Sequence, residues 1–119
     1  MNSVSKFVAV LMVVSVAGCG KSVLPPPVEV TYREAILGPG MVVRVTNTSS
    51  HHLYEVSVTG RSRDAPSGAS VRATDHLEPG ETVEVGWLEF GQWVPLPGES
   101  IEVYVKDYAI PKIALIPSS

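Results

Sequence analysis

Val43-Arg44-Val45-Thr46-Asn47-Thr48-Ser49, then Tyr54-Glu55-Val56-Ser57-Val58, then His76-Leu77-Glu78-Pro79-Gly80-Glu81-Thr82-Val83 is the stretch that decides the fold. Apolar and polar residues alternate with a period of two, the mark of a half-buried strand. Met41, Val43, Val45 and Asn47 share one face. Asn47-Thr48-Ser49-Ser50 is turn chemistry, because these side chains bond nearby backbone and tolerate tight bends. Tyr54, Val56 and Val58 are predicted to form the apolar face of the next strand, Leu53 to Thr59. The two strands, joined by a short polar turn, read as an antiparallel hairpin. Leu77-Glu78-Pro79-Gly80 is a type II turn, with Pro setting φ and Gly accepting φ > 0 at the following position.

The same period extends outward in both directions. Val28, Val30 and Tyr32 alternate with Glu29, Thr31 and Arg33. Gly60 to Ser70 is polar and reads as an exposed loop, with a short strand over Val71 to Thr74. Thr82 to Leu88 is a strand carrying Val83, Val85 and Trp87 on one face. Ile101, Val103 and Val105 mark another. Ile110 to Ile116 is the last, confined by Pro111 to an edge or a strand start. No segment after the first 27 residues keeps a helical period over three turns. The pattern predicts an all-β chain, an antiparallel immunoglobulin-like β-sandwich of about seven strands over residues 28–119. From Val43 to Val85 it resembles the small immunoglobulin-like bacterial domains of the FxLYD type. In those an asparagine ends one strand, the next carries alternating valines, and Leu-x-Pro-Gly-Glu leads into a later strand. The family's aromatic-Leu-Tyr-Asp run has no counterpart in Thr59 to Asp64. Such domains share no general activity, so the resemblance brings no site residues.

The start of the chain reads differently. Lys6 precedes an apolar run, Phe7 to Val14, that is too short to span a bilayer, which needs ~20 apolar residues. Small residues follow, as in a secretory signal peptide. Val16-Ala17-Gly18-Cys19 resembles the lipobox of bacterial lipoproteins. The resemblance implies cleavage before Cys19, a signal peptide over 1–18, and acyl chains on Cys19 that hold the protein to a membrane of the cell envelope. With Gly20 rather than Asp after the cysteine, it implies the outer membrane in a Gram-negative cell. Residues 19–27 are then the lipidated cysteine and a tether, stiffened by Pro25-Pro26-Pro27 at ~3.1 Å per residue.

Composition narrows the function. The chain has 119 residues and a formal charge of −3, and losing the signal removes Lys6 and no acid. A basic nucleic-acid footprint is absent. The single cysteine is used by the anchor, so no internal disulfide is expected. His51 and His52 are adjacent and point to opposite faces of a strand, a poor chelate, so no metal site is expected. There is no GxSxG, P-loop or GxGxxG, and neither a catalytic group nor a cofactor is expected.

Both tryptophans fall in Gly86-Trp87-Leu88-Glu89-Phe90-Gly91-Gln92-Trp93. Trp87 is expected between the sheets. Phe90 and Trp93 lie past the strand and are expected either to cap the open end of the sandwich or to form a binding platform. The expectation for function is a membrane-anchored, non-catalytic envelope module meeting another envelope protein. The alternative is a small-ligand or glycan binder that uses Phe90 and Trp93.

Overall fold

The computed structural model describes residues 23–63, 68–91 and 93–118. Cys19 and the expected signal segment, residues 1–18, lie outside them. Among the described residues seven strands follow in order: β1 (Val28–Glu34), β2 (Met41–Asn47), β3 (Leu53–Arg61), β4 (Gly68–Leu77), β5 (Thr82–Val85), β6 (Ser100–Tyr104) and β7 (Lys112–Leu115). One helical turn, α1 (Trp87–Phe90), separates β5 from β6. They form a three-stranded sheet, β1-β2-β5, and a four-stranded sheet, β4-β3-β6-β7, with antiparallel pairing throughout. The chain is thus an all-β sandwich.

The core lies between the sheets. Val43, Val45 and Val85 from the first meet Val56, Val58, Ile101 and Val103 from the second, all fully or almost fully buried. β-branched side chains dominate because they fit a pleated surface with little rotamer entropy to lose. Pro111 precedes β7, which is an edge strand, where a missing N–H costs no ladder bond.

Four sequence expectations change. β2 and β3 do not form a hairpin: they belong to different sheets, and the Thr48–His52 connection crosses from one to the other. β4 runs ten residues rather than Val71 to Thr74 alone, and it pairs with β3 as far as Arg61↔Gly68, so the expected loop is much shorter. β5 stops at Val85, and Gly86 leads into α1. Tyr54 is on the outer face, 49% exposed, while Leu53 and Val56 are buried. Glu55 between them has φ 50, a left-handed conformation that breaks the strict in-out alternation.

Asn47 organises the crossing. It sits on the inner face of β2 with no solvent exposure. Its Nδ2 donates to the carbonyls of His51 (2.7 Å) and Leu77 (3.0 Å). Its Oδ1 accepts from the backbone N–H of Ser49 (2.9 Å) and from the Ser49 hydroxyl (2.7 Å). Its own backbone is bound to the 78–81 turn, with Asn47 N donating to Glu81 O and Gly80 N donating to Asn47 O. Gly80 has φ 82, as the central position of that turn requires. Pro26 and Pro27 dock beside it: Pro26 is buried, and Pro27 O accepts from the backbone N–H and the hydroxyl of Thr48.

Asn47→Ala leaves the Leu77 carbonyl without its side-chain donor and should lower stability by about 1–3 kcal/mol. Ser50→Ala, on the exposed part of the same connection, should stay within ~0.5 kcal/mol. In Asn47→Asp the carboxylate cannot donate to either carbonyl, and burial raises its folded pKa above the ordinary ~3.9. A raised folded pKa gives stability that is present at low pH and lost as pH rises. Denaturant melts of that variant should therefore strengthen on acidification, and a flat profile would contradict the assigned hydrogen bonds.

Candidate functional site

The three aromatic side chains of α1 and its flank separate into an inside and an outside. Trp93 is 7% exposed and meets Phe90, also 7% exposed, edge to face at 5.0 Å between ring centres. The Trp93 indole N–H donates to the Ser62 hydroxyl at 3.0 Å. The ring lies on Gly60 of β3, where an added Cβ would fall 2.2 Å from it, so only glycine admits this approach. Phe90 and Trp93 therefore close the sandwich from within. Neither ring presents a face to solvent, and a platform built on them is not formed.

Trp87, expected between the sheets, is instead at the surface and half-buried. The cause is Gly86: the chain leaves β5 there and turns helically, which rotates Trp87 off the Val83/Val85 face. The turn is short but fixed. Glu89 Oε1 accepts from Gly86 N at 2.6 Å, and Gly91 N donates to Trp87 O at 3.0 Å. The indole N–H of Trp87 donates to Leu37 O at 3.2 Å, which ties α1 to the β1–β2 loop.

Between that loop and α1 runs a groove of about 470 Å³. Val42 and Gly86 line its floor, and Ile36, Leu37, Trp87 and Leu88 its sides. Ile36, Leu37 and Leu88 are 85%, 83% and 69% exposed. Three large apolar side chains this open, grouped around one concavity, are the kind of patch that marks an interaction site. In the sequence, Leu37-Gly38-Pro39-Gly40 reads as a break after the first strand. The missed signal was Ile36-Leu37, an apolar pair directly before Gly38-Pro39-Gly40, where a turn cannot bury it.

Charge borders the groove on the outer face of the three-stranded sheet. Arg33 grips Glu84 with two bonds, Nη2 to Oε1 at 2.8 Å and Nε to Oε2 at 3.0 Å. Arg44 Nε lies 3.1 Å from Glu84 Oε2, an ion contact without hydrogen-bond alignment. The hydrogen bond from Arg33 holds the Glu84 carboxyl below the usual carboxylate range, against the opposing effect of desolvation. Exposed pairs contribute little to stability. Their effect here is to fix the Arg33 guanidinium at the rim. On the same strand, burial pushes the Tyr32 phenol up to about 12, and its hydroxyl has no hydrogen-bond partner.

The remaining sequence candidates lie elsewhere. Cys19 is outside the described residues. His51 and His52 are exposed at the opposite end of the sandwich, and His52 meets His76 rather than His51.

Trp93→Ala empties a core site and should cost ~3–5 kcal/mol, while Trp87→Ala should cost no more than about 2 kcal/mol. Equal shifts in the denaturation midpoint would refute the inside-outside division. The Arg33–Glu84 clamp has its own signature. Because the folded Glu84 pKa is depressed, its contribution is present above the ordinary ~4.3 and lost as pH falls through the folded value. The side-chain N–H resonances of Arg33 should move over that acidic range and not between pH 6 and 8.

Comparison with protein-family models, with curated proteins and with solved structures gives no match to this chain, and the reading of the site rests on its own chemistry.

Proposed function

We propose that the protein is a lipid-anchored, non-catalytic interaction module of the bacterial cell envelope. On this reading it meets another envelope protein through the Trp87–Leu88 and Ile36–Leu37 groove. The observation that carries the reading is where the groove sits. β1 leaves the docked Pro26-Pro27 segment at Val28 and ends at Arg33-Glu34, at the groove. Seven residues of strand, at ~3.3 Å each, separate the two ends by roughly 20 Å.

The lipobox resemblance puts the anchor at Cys19. The seven residues from Cys19 to Pro25 reach at most about 25 Å. With the anchor there, the Pro26 end of the sandwich lies nearest the membrane, and the apolar patch sits at the far end of β1. It is displayed to whatever lies beyond. The rim charge of Arg33 and Glu84 gives such a surface a polar border, as interfaces have.

The groove's volume falls within the range of small-molecule pockets, ~300–1,000 Å³, which keeps a small-ligand reading as the second. Its residues are then Trp87, Leu88, Ile36 and Leu37 rather than Phe90 and Trp93.

Two measurements test this. Cys19→Ala should abolish fatty-acid labelling and leave the precursor unprocessed; continued labelling defeats the anchor. A photo-crosslinking residue at position 88 should give one discrete protein adduct in cells, weakened by Trp87→Ala. The same residue at exposed Ile113, on the other sheet, should give none. Equal adducts from both positions, or none from either, would count against the groove as a protein-binding surface.

A further inference from the structure

At the end of the sandwich opposite the groove, the four-stranded sheet brings together two imidazoles that are 24 residues apart in sequence. Leu53↔Leu77 and Tyr54↔His76 are the last pairs of the β3–β4 ladder. His52, one residue before β3, therefore comes alongside His76 on the outer face. Its Nδ1 lies 2.6 Å from Nε2 of His76. The ring centres are 4.8 Å apart and the planes differ by 20°. Nitrogens that close, with centres that far apart, mean two nearly coplanar rings meeting edge to edge rather than face to face.

The His76 side is held. Tyr54 stacks on its ring at 5.0 Å between centres and 9° between planes. Thr74 Oγ1 both accepts from His76 N and donates to His76 O. The left-handed Glu55 keeps Tyr54 on the outer face, where this stacking occurs.

Two imidazole nitrogens facing each other at this distance need a hydrogen or a metal ion between them. With both rings neutral, it is the N–H of one ring donated to the lone pair of the other. The convergence of two ring nitrogens is also what a late divalent transition metal takes. The geometry points to His52 and His76 as a two-imidazole site for Cu²⁺, Ni²⁺ or Zn²⁺. On binding, the proton between the rings moves to the far nitrogen of its own ring. Both facing nitrogens then offer lone pairs, and the neutral pair loses no net proton.

The rearrangement is small. With metal–nitrogen bonds of ~2.0–2.1 Å and a tetrahedral angle, the two nitrogens stand about 3.3 Å apart, so the rings must open by roughly 0.7 Å. Both side chains are exposed and can swing that far without disturbing the buried Leu53–Leu77 pair beneath them. Among the described residues no group of three His, Cys, Asp or Glu converges here, so water completes the coordination and the ion exchanges readily. Imidazole donors select against Mg²⁺ and Ca²⁺, which prefer oxygen.

The test uses the full chain in detergent, with Cys19 blocked by a thiol reagent wherever it is not acylated. CuCl₂, NiCl₂ and ZnCl₂ are titrated by calorimetry and by imidazole ¹H–¹⁵N spectra. One ion per chain is expected, Cu²⁺ binding more tightly than Ni²⁺ or Zn²⁺, with no response to MgCl₂ or CaCl₂. His52→Ala and His76→Ala should each weaken Cu²⁺ binding roughly tenfold or more, about 1.4 kcal/mol, while His51→Ala leaves it unchanged. His52→Gln and His76→Gln repeat the test if an alanine variant loses its thermal transition. Wild-type affinity in the His52 and His76 variants overturns the site. So does the absence of saturable binding up to about 1 mM Cu²⁺.

Discussion

The sandwich depends on one buried amide. Where β2 ends, the chain must leave the three-stranded sheet and enter the four-stranded one, and the crossing exposes backbone groups to an apolar interior. The carboxamide of Asn47 satisfies several of them at once. It donates to the end of β4 at Leu77 and to the connection just before β3 at His51, and accepts from Ser49 in that same connection. Four bonds on one rigid, planar group fix three segments relative to one another. An apolar residue of similar size would fill the space and leave those groups unpaired, and a buried unpaired group costs more than a hydrogen bond gains.

The two ends of the sandwich are closed by different physics, and the surface features follow. At the Asn47 end the closure is polar and made largely of backbone, with the 78–81 turn and the Pro26-Pro27 segment hydrogen-bonded across it. Little apolar surface is needed there, and polar rings such as His52 and His76 can occupy the outer face. At the other end the closure is apolar. Trp93 and Phe90 fill the gap between the sheets, and Gly60 makes room for them. With that gap filled from Trp93, the side chains of Trp87 and Leu88 have no interior left to enter, and they line a groove instead.

Much of this was legible in the sequence. The period-two valines placed β1, β2, β6 and the core face of each, and Pro79-Gly80 placed its turn. The failures share a cause: they fall where a single residue changes which face the chain presents. Asn47 was read as a turn former, which it is, yet its buried amide sends the chain into another sheet, and no local pattern distinguishes that from a hairpin. Glu55 in a left-handed conformation inverts the alternation of β3, and nothing about glutamate announces it. Gly86 ends β5 and brings Trp87 to the surface instead of between the sheets, while Trp93 closes the end of the sandwich. The His52–His76 contact was invisible for a different reason: it depends on the register of β3 against β4, which sequence periodicity leaves open by any even shift.

The groove's energetics bear on the anchor. Covering Ile36, Leu37 and Leu88 fully would contribute roughly 1.5–3 kcal/mol each. Bringing two free proteins together costs an estimated 4–15 kcal/mol before any contact is counted. The two ranges overlap, so this patch on a freely diffusing domain gives at best a weak complex. Confinement to a common membrane changes the comparison, because it removes part of the translational cost and raises the effective concentration towards the millimolar level of a tethered pair. A millimolar dissociation constant needs only ~4 kcal/mol. Three fully covered apolar side chains reach that net value once confinement has cut the association cost to a few kcal/mol. On the proposed anchor, then, the size of the groove and the attachment of the domain are matched: a surface too small to recruit a partner from solution is large enough to hold one already confined beside it.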